Sequence, residues 1–591
     1  MNRRAVLKYA GLSAATAAIP EPMISFTAAQ SGAPANAESG VTAFNQVGYL
    51  PSKEKISSVS TAGTGALSFQ VVRNPVPGAP PDAGQQPVFH GNLTAAVLDQ
   101  ASGDPVALAD FSQVTTPGRY RLVVQGRSSE PFSISKSAYS DALTLSMRAF
   151  YGQRCGCTVD LGGGYSHPPC HLNGAYHATS GRQGVVANHG GWHDAGDYGR
   201  YVVNSGISTG TLLWAWELFA EALKNLSLNI PESGGKVPDY LAEIRWNIEW
   251  MLSLQDQDGG AWHKQTSEKF CAFIMPQQDN LVSYIIGTGA APYKSTCATA
   301  DLAAVAAIAA RCYSTYDSAF SQRCLSAARR AWTWAVAHPN VPFSNPKGVV
   351  TGGYDDKDCS DEILWASAEL WRTTGDNQYE QSFLAGVDAL PPETAIWSPA
   401  WPGVAPLAYW TYALAERHGS EKLKSRIYRK TAEAAQQLIS RRSSSGYGNT
   451  LAPEDYIWGS NSVAANQSLL LLIANHFQPN PQTFEAALGN LHYLLGRNCF
   501  GVSWVTHVGT NPFQHPHHRP SGADNIDAPW PGLMSGGPNA RPSDSAANTL
   551  PKLPPMRMWM DDQRAYSLNE VAINWNAPLV FLLAAAHQSG L

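Results

Sequence analysis

Ten segments with helical periodicity follow one another between residues 140 and 495, and they limit what this chain can fold into. Each is rich in Ala and Leu, with apolar residues at the spacing of one helix face. Long Gly/Pro loops and few strands lie between them, which favours helix hairpins packed around a common centre. The predicted helices span residues 140–151, 205–223, 239–255, 298–312, 321–338, 361–373, 407–417, 427–440, 461–475 and 481–495.

The chain before these helices has a different pattern. Residues 41–135 contain short β-type runs such as 67–73 and 118–125, separated by Pro/Gly clusters such as 75–81. Alternating apolar residues bounded by turn residues predict a small β-sandwich. A short linker follows at 135–139, so we expect two folded domains, residues 41–135 and residues 140–591.

The length of 591 residues also fits two domains, and the charge balance narrows the possible partners. The net charge is only −5 and the basic residues form no run, which argues against nucleic acid as the main partner. No uninterrupted apolar stretch is long enough to span a membrane. The 18 Trp and 23 Tyr serve either a large core or a groove that binds carbohydrate, and composition does not separate these uses.

The first 37 residues read as an export signal. Arg3 and Arg4 form a twin-arginine pattern, followed by a weakly apolar stretch and the small-residue site Ala35-Asn36-Ala37. We therefore expect a periplasmic or secreted protein, and we expect it to be a monomer. Nine cysteines are an odd number, so at least one is free, a metal ligand or paired with another molecule.

The stretch 190–205 combines carboxylates, glycines and aromatic residues. Asp194 and Asp197 are three residues apart, so in a turn they can point to the same side and couple their ionisation. Glycines allow close approach of a ligand, and aromatic faces stack on sugar rings. The alternative is structural, with Asp194 capping the next helix and Asp197 a solvated acid of its first turn.

Three segments together resemble glycoside hydrolase family 9, the inverting cellulases. They are the stretch around Asp194-Ala-Gly-Asp197, the histidine-rich stretch 503–519, and the acidic stretch 559–577. Further likeness runs through 258–263, 360–362 and 458–461, and covers nearly all of residues 140–591. The resemblance implies an all-α (α/α)6 barrel, preceded by the immunoglobulin-like β-sandwich of one branch of the family.

The resemblance also implies catalytic roles. Asp197 matches the family's base, Asp194 the second carboxylate that holds the water, and Glu570 the acid. Inverting hydrolysis needs such a base and acid on opposite faces of the sugar. Apolar and aromatic neighbours are expected to raise the pKa of Glu570 so that it keeps its proton. The structural alternative for Glu570 is an acid at a helix N-terminus.

Substrate-binding residues follow from the same comparison. His517 and Arg519 match the family's pair that donates hydrogen bonds to sugar hydroxyls, while His515 and His518 are expected to be structural. A metal site made of the loop histidines is the alternative. Asp561 is expected to support the loop. The candidate stacking platforms, each of which is otherwise a core residue, are Tyr201, Trp262, Trp458 and Tyr566.

Two metal sites are expected. Cys155, Cys170, His171 and His193 provide the four ligands of a closed zinc site. The residues alone favour a Cys155–Cys170 disulfide in an exported protein, whereas the family resemblance implies a structural zinc.

The second expected metal is calcium, in the acidic loop before the predicted helix 361–373. Its expected ligands are Asp358, Asp361 and Glu362, with Asp355 nearby, because carboxylate oxygens suit calcium and family members bind it in this region. Relatives usually have a further aspartate where Ser398 stands here, which leaves the coordination incomplete. A solvated helix N-terminus is the alternative.

The predicted function is inverting, endo-acting hydrolysis of β-1,4-glucosidic bonds in cellulose-type or mixed-linkage β-glucan. The same residues also serve an exo-acting cellobiohydrolase, a glucosidase or a glucosaminidase, which differ from an endoglucanase in the loops that block the groove. A carbohydrate-binding protein without activity is the third alternative, and the presence of all three carboxylates disfavours it.

Overall fold

The computed structural model describes residues 42–61, 67–74, 86–187, 190–388 and 395–591. The expected export signal at 1–37 and the turn cluster at 75–81 lie outside the described residues. In the part of the chain that is described, no helix has the length and apolar character needed to cross a bilayer.

The N-terminal domain is a sandwich of two β-sheets. Its first sheet has the order β1-β3-β7-β6 and its second β2-β10-β8-β4-β5, with β9 paired to β8. Alternate residues of β8 are buried, among them Tyr120 and Leu122, because one face of each sheet covers the core between them. The strands are β1 (Thr42–Ala43), β2 (Gly48–Tyr49), β3 (Ile56–Ser60), β4 (Ser68–Arg73), β5 (Pro87–Asn92), β6 (Val97–Leu98), β7 (Pro105–Asp110), β8 (Gly118–Val124), β9 (Arg127–Ser128) and β10 (Phe132–Ile134).

Twelve helices of ten or more residues form the second domain in its described part. The even-numbered helices form an inner ring and the odd-numbered helices pack outside it. The helices are α1 (Ser140–Gly152), α2 (Val202–Leu223), α3 (Asp239–Ser253), α4 (Thr296–Cys312), α5 (Ser318–Ala337), α6 (Ser360–Thr374), α7 (Asn377–Asp388), α8 (Ala405–Leu414), α9 (Glu421–Ser444), α10 (Ser460–Phe477), α11 (Pro481–Leu494) and α12 (Ile573–Gln588).

Composition explains which helices lie inside. All residues of α4 except Arg311 are buried, and most of α2 and α12 is buried as well. Such helices are apolar or small on every face, whereas α5 and α9 carry charged residues on an exposed face. The arrangement is the predicted (α/α)6 barrel.

Sequence and structure differ at α7 and α12, which were not among the predicted helices. Few apolar residues mark α7, whose buried face consists of Tyr379, Phe383 and Val387. In α12 the internal Pro578 and two Asn residues hide the helical pattern, yet the helix is buried on all sides. Tertiary packing decides the structure of both segments more than local pattern does.

The inner helices begin at the same end of the barrel. Inner and outer helices alternate along the chain, so successive inner helices run in the same direction. The first residue of α12, Ile573, donates its backbone N–H to Asp194 just before α2, at 2.8 Å. Tyr354, just before α6, also donates to Asp194. Residues that precede inner helices therefore meet at one rim.

A buried polar network closes the opposite end of the barrel. Glu369 of α6 pairs with Arg311 of α4 at 2.6 Å, and Thr411 of α8 donates to the same carboxylate at 2.6 Å. Trp214 of α2 donates its indole N–H to Glu369 at 3.1 Å. Four inner helices are thus joined near their C-terminal ends, which leaves the N-terminal rim for the ligand.

The sandwich braces loops of the barrel domain. The Gln46 side chain donates to Gly501 O at 2.7 Å and accepts the backbone N–H groups of Thr510 at 3.0 Å and Asn511 at 2.7 Å. Asp104 pairs with Arg557 at 2.6 Å. These contacts hold the chain segments that lead into the stretches around His517 and Glu570.

Candidate active site

The carboxylates of Asp194 and Asp197 lie in a tight turn before α2. The Asp194 backbone N–H donates to Gly199 O at 2.9 Å and closes this turn. A Cβ atom on Gly196 would lie 1.9 Å from the backbone oxygen of His517, so only glycine fits between the two loops. The glycine therefore brings the aspartates against the histidine-rich loop.

Both carboxylate oxygens of Asp194 accept hydrogen bonds from neighbouring side chains. Asn204 donates to its Oδ1 and Tyr354 donates to its Oδ2. Burial raises the pKa of Asp194 to about 7, with a further rise from the charge of Asp197, although both hydrogen bonds act in the opposite direction. Neither Asn204 nor Tyr354 was singled out by the sequence analysis.

Asp197 is buried, but both of its described side-chain hydrogen bonds are accepted by one carboxylate oxygen. Gly199 N–H at 3.1 Å and the Tyr201 hydroxyl at 3.4 Å both donate to its Oδ2. Its charge raises the pKa of Glu570, so the two carboxyl groups lie close enough to interact. Both of these hydrogen bonds leave Oδ1 unused.

Glu570 follows the single helical turn Tyr566–Asn569 and has an extended backbone. It forms a parallel β-bridge with His517, and its backbone oxygen accepts the Gly536 N–H at 2.7 Å. Burial raises the pKa of the Glu570 carboxyl well above its usual value, and the charges of Asp197 and Asp194 add to the rise. Arg519 and the Gly196 amide oppose it only in part.

The three sequence signatures are joined through Gly196. Its backbone oxygen accepts Arg519 N–H at 3.1 Å and Arg519 Nη1 at 3.0 Å. Because His517 bridges to Glu570, the two aspartates, the histidine-rich loop and the acidic residue form one continuous unit. Within this unit, the charges of Asp194 and Asp197 act on the carboxyl group of Glu570 and raise its pKa.

The described residues match known proteins along nearly their whole length. The family model for glycosyl hydrolase family 9 matches residues 139–583. The chain belongs to glycosyl hydrolase family 9. Residues 38–129 match the cellulase N-terminal ig-like domain, so the resemblance found in the sequence is confirmed, as are the two fold classes.

Several proteins are similar to this family 9 chain. Endoglucanase D of Acetivibrio thermocellus is 34% identical over 548 residues, which cover 91% of this chain and 82% of that protein. A thermostable endoglucanase from Alicyclobacillus acidocaldarius has a structure with a TM-score of 0.84 and 33% identity, covering 92% of this chain and 99% of that one. A structure titled as a Zn-binding triple mutant of family 9 endoglucanase J30 has a TM-score of 0.83 and 33% identity, covering 91% and 99%.

The His517 ring of this family 9 enzyme is neutral and donates through its Nδ1. Its Nδ1 donates to Gln563 O at 2.7 Å, and burial lowers the pKa of the ring to about 4. The neutral ring then has an unprotonated Nε2. We expected His517 to donate to a sugar hydroxyl; in this tautomer Nε2 has no proton to donate, and contact of His517 with sugar remains a prediction.

Arg519 is buried beside the loop at 270–273. Its Nε and Nη2 donate to Cys271 O at 3.2 and 3.1 Å, in addition to the contact with Gly196. These bonds position two loops against each other. The expected contact of Arg519 with sugar remains a prediction.

The other residues of the histidine-rich loop support its structure. His518 accepts at the start of the helix Arg519–Ala523, and its Nε2 contacts Gln153 at 3.0 Å. Asp561 accepts the His515 N–H at 2.8 Å and also pairs with the exposed His515 ring. In the described chain, neither group of converging metal-ligand atoms includes a histidine of this loop.

The four expected stacking residues separate into two pairs. Tyr201 and Trp262 are each only 2% exposed, and the Trp262 indole donates to Ser180 O at 3.0 Å, so the prediction of platforms there is wrong. Their aromatic surface is used in the core. Trp458 is 42% exposed, and its ring lies 5.5 Å from that of Tyr566. This pair remains available to a ligand beside Glu570.

Four potential metal ligands converge behind the aspartate turn. The donor atoms of the group lie within 4.8 Å of one another, and all four residues are buried. Cys155 Sγ is 3.7 Å from His171 Nδ1, and Cys170 Sγ is 3.8 Å from His193 Nε2, as expected around a tetrahedral centre. Asp279 accepts from the other nitrogen of His171 at 3.3 Å. The thiols are not joined to each other as a disulfide.

A second buried group consists of carboxylates at the start of α6. Glu362 is 0% exposed and Asp301 of α4 is 1% exposed, and the carboxylate oxygens of both have no hydrogen-bond partner. Burial raises the pKa of both well above the usual value, and the charges of Asp361 and Asp356 raise it further.

The expected ligand Asp358 lies outside this group. It is exposed, and its Oδ1 accepts the Ser360 N–H at 3.2 Å. This is the kind of contact that a capping side chain makes at the start of a helix. The structure therefore places the expected calcium ligand Asp358 outside the buried carboxylate group, whose members are Asp301, Asp356, Asp361 and Glu362. Next to this group, Cys297 and Cys359 form a disulfide.

Proposed function

We propose that this family 9 enzyme is an inverting endo-β-1,4-glucanase that acts on β-glucan chains. The observation that carries the proposal is the pairing of Asp194 and Asp197 on one loop with Glu570 on another, linked through Gly196 and His517. The similar proteins that are named endoglucanases support the substrate class.

Glu570 is proposed as the general acid. Its raised pKa keeps a proton on the carboxyl group at a pH where ordinary glutamates have lost theirs. That proton passes to the glycosidic oxygen as the bond to the anomeric carbon breaks. The charges of the two aspartates favour the protonated acid before reaction.

Asp197 is proposed as the general base. Its described hydrogen bonds are both accepted by Oδ2, so Oδ1 is the oxygen that removes a proton from the attacking water. Both oxygens of Asp194 already accept hydrogen bonds, which suits a residue that orients the water rather than one that takes its proton. Attack from the face opposite to Glu570 inverts the anomeric centre.

Loss of viscosity tests the endo mode of action. In a soluble β-1,4-glucan, an endo-acting enzyme is expected to lower the viscosity steeply while few reducing ends have formed. An exo-acting cellobiohydrolase or glucosidase would release many reducing ends at nearly unchanged viscosity. The second pattern would contradict the proposal, and absence of turnover on every β-glucan would favour a binding protein.

We also propose that Cys155, Cys170, His171 and His193 hold a structural zinc ion. Two thiolates and two imidazoles form a closed set with no open position for a substrate. Asp279 orients His171 from outside the set, as carboxylates commonly do at zinc sites. The ion would add its binding free energy to the stability of the fold.

The carboxylate group at α6 is proposed to hold calcium. Its members are Asp301, Asp356, Asp361 and Glu362, and oxygen donors are those that calcium prefers. Of these, Asp301 and Glu362 have no hydrogen-bond partner for either carboxylate oxygen, which is costly for a buried charge unless a cation neutralises it. Asp301 would compensate for the aspartate that relatives have near Ser398.

Export from the cytoplasm is proposed from the twin-arginine pattern at the N-terminus. The disulfide between Cys297 and Cys359 supports this, because disulfides persist mainly in oxidising compartments. A monomer in solution remains our expectation.

A further inference from the structure

Phe270 is one of the few large apolar residues that lie exposed in the described chain, and it stands beside the active site. Phe270 is 44% exposed. The Arg519 guanidinium lies 5.6 Å from the centre of the Phe270 ring. Arg519 also donates a hydrogen bond to Gly196 O. The exposed ring thus lies against an arginine that also contacts the aspartate turn.

A series of side chains connects Phe270 with the acid. Arg519 also lies 5.2 Å from the ring of Phe273, and the Phe273 ring lies 5.0 Å from that of His517. His517 in turn bridges to Glu570 and lies 5.6 Å from Tyr566. Contacts therefore run from His517 in two directions, to Phe273 and through Arg519 to Phe270, and to Tyr566 and Trp458.

The loop that carries Phe270 is fixed at several points. Arg519 binds Cys271 O through two nitrogens, and Tyr198 donates to Ile274 O at 2.6 Å. On the other side, Glu268 O accepts the Val350 N–H at 2.8 Å. The ring is thus presented on a rigid support, which lowers the entropy lost when a ligand binds.

We propose that Phe270, supported by Phe273, is a binding site for a glucosyl unit of the same β-glucan chain that is cleaved at Glu570. The inference rests on the proposed function. Continuity with the active site identifies the occupant, because the exposed Phe270 ring is joined to His517 through the Arg519 guanidinium and the Phe273 ring. A phenyl ring has no polar atom, so it binds the C–H face of a sugar ring by stacking.

The site determines the length of chain that the enzyme prefers. A short substrate that spans only the cleaved bond does not reach Phe270, whereas a longer oligosaccharide does. Binding energy from such a remote unit contributes to kcat/KM of the longer substrate alone. Phe270 is therefore assigned to recognition of chain length and not to the chemical step.

Phe270→Ala and Phe270→Trp test the site with cellohexaose and a chromogenic cellobioside. We expect Phe270→Ala to lower the ratio of kcat/KM for the long substrate to that for the short one by about 3- to 10-fold, the range of one aromatic contact. Phe270→Trp should restore most of the ratio, because it keeps a flat apolar face. The matched control is Tyr428→Ala, which removes an exposed aromatic residue from α9.

The outcomes separate the inference from the function on which it rests. An unchanged ratio in Phe270→Ala, or an equal fall with Tyr428→Ala, would overturn the site while wild-type turnover upholds the function. An equal loss on both substrates would also overturn it, because it would place Phe270 in the support of the active site. If the wild type cleaves no cello-oligosaccharide, the proposed function fails and the site fails with it.

Discussion

Glu570→Gln is expected to lower turnover of a soluble β-1,4-glucan by about 10³-fold, since general acid catalysis contributes roughly 10² to 10⁴. The amide keeps the shape of the side chain but has no proton to transfer. Asp197→Asn should have an effect of similar size, because it removes the base. Initial rates are the measurement, and KM should change little in either variant.

A matched control for these variants is Glu416→Gln, at an exposed position after the C-terminal end of α8. It should retain wild-type rates. A tenth of the wild-type activity in Glu570→Gln would contradict its assignment as the acid. Circular dichroism should show that all three variants are folded.

The pH profile gives a second readout of the same assignment. Activity requires protonated Glu570, so it falls on the alkaline side as Glu570 loses its proton. The charge of Asp194 raises the pKa of Glu570, and Asp194 itself, with a pKa raised to about 7, is charged only above that pH. Asp194→Asn should therefore move the alkaline limb to lower pH, by roughly one unit. An unmoved limb would point to a different acid.

Cys170→Ala is expected to release about one zinc ion and to lower the melting temperature strongly. Structural zinc contributes about 10–16 kcal/mol of apparent binding free energy in small zinc domains, and part of it stabilises the fold. The same loss is expected for His171→Ala. Asp279→Asn should keep the ion but weaken its affinity by roughly 10- to 100-fold, because Asp279 only orients His171.

Cys324→Ala serves as the control for the metal variants. Cys324 is buried in α5, away from the ligand group, so its loss should cost only about 1 kcal/mol of the free energy of unfolding. Elemental analysis and thermal unfolding measure both effects. Wild-type protein without zinc, together with a Cys155–Cys170 disulfide by mass spectrometry, would contradict the account.

Much of the barrel was predictable because its long helices carry apolar residues at a regular spacing. The candidate site could be predicted because the stretch around Asp194 and Asp197 resembles a family signature, whereas the residues alone left a structural alternative open. The need for Gly196 became clear only from its contact with His517, which lies far away in the chain. Such close approaches depend on tertiary structure, which no local pattern records.

The misassigned residues share one cause. Whether an aromatic ring or a carboxylate faces a ligand depends on what packs against it, and Trp262 and Asp358 have surroundings that distant segments provide. Asp301 was missed for the same reason, because within α4 it reads as one polar residue of an apolar helix. Tyr354 lies 160 positions from Asp194, so only the fold brings its hydroxyl to the carboxylate.

The stereochemistry of the first product tests the central claim most directly. The assignment of Asp197 as a base that activates water, opposite to Glu570 as the acid, requires single displacement at the anomeric carbon. Proton NMR during early hydrolysis of a β-linked cello-oligosaccharide should therefore show the α-anomer first, followed by slow mutarotation. Initial formation of the β-anomer would contradict the account, because it would mean that a carboxylate attacks the sugar as a nucleophile.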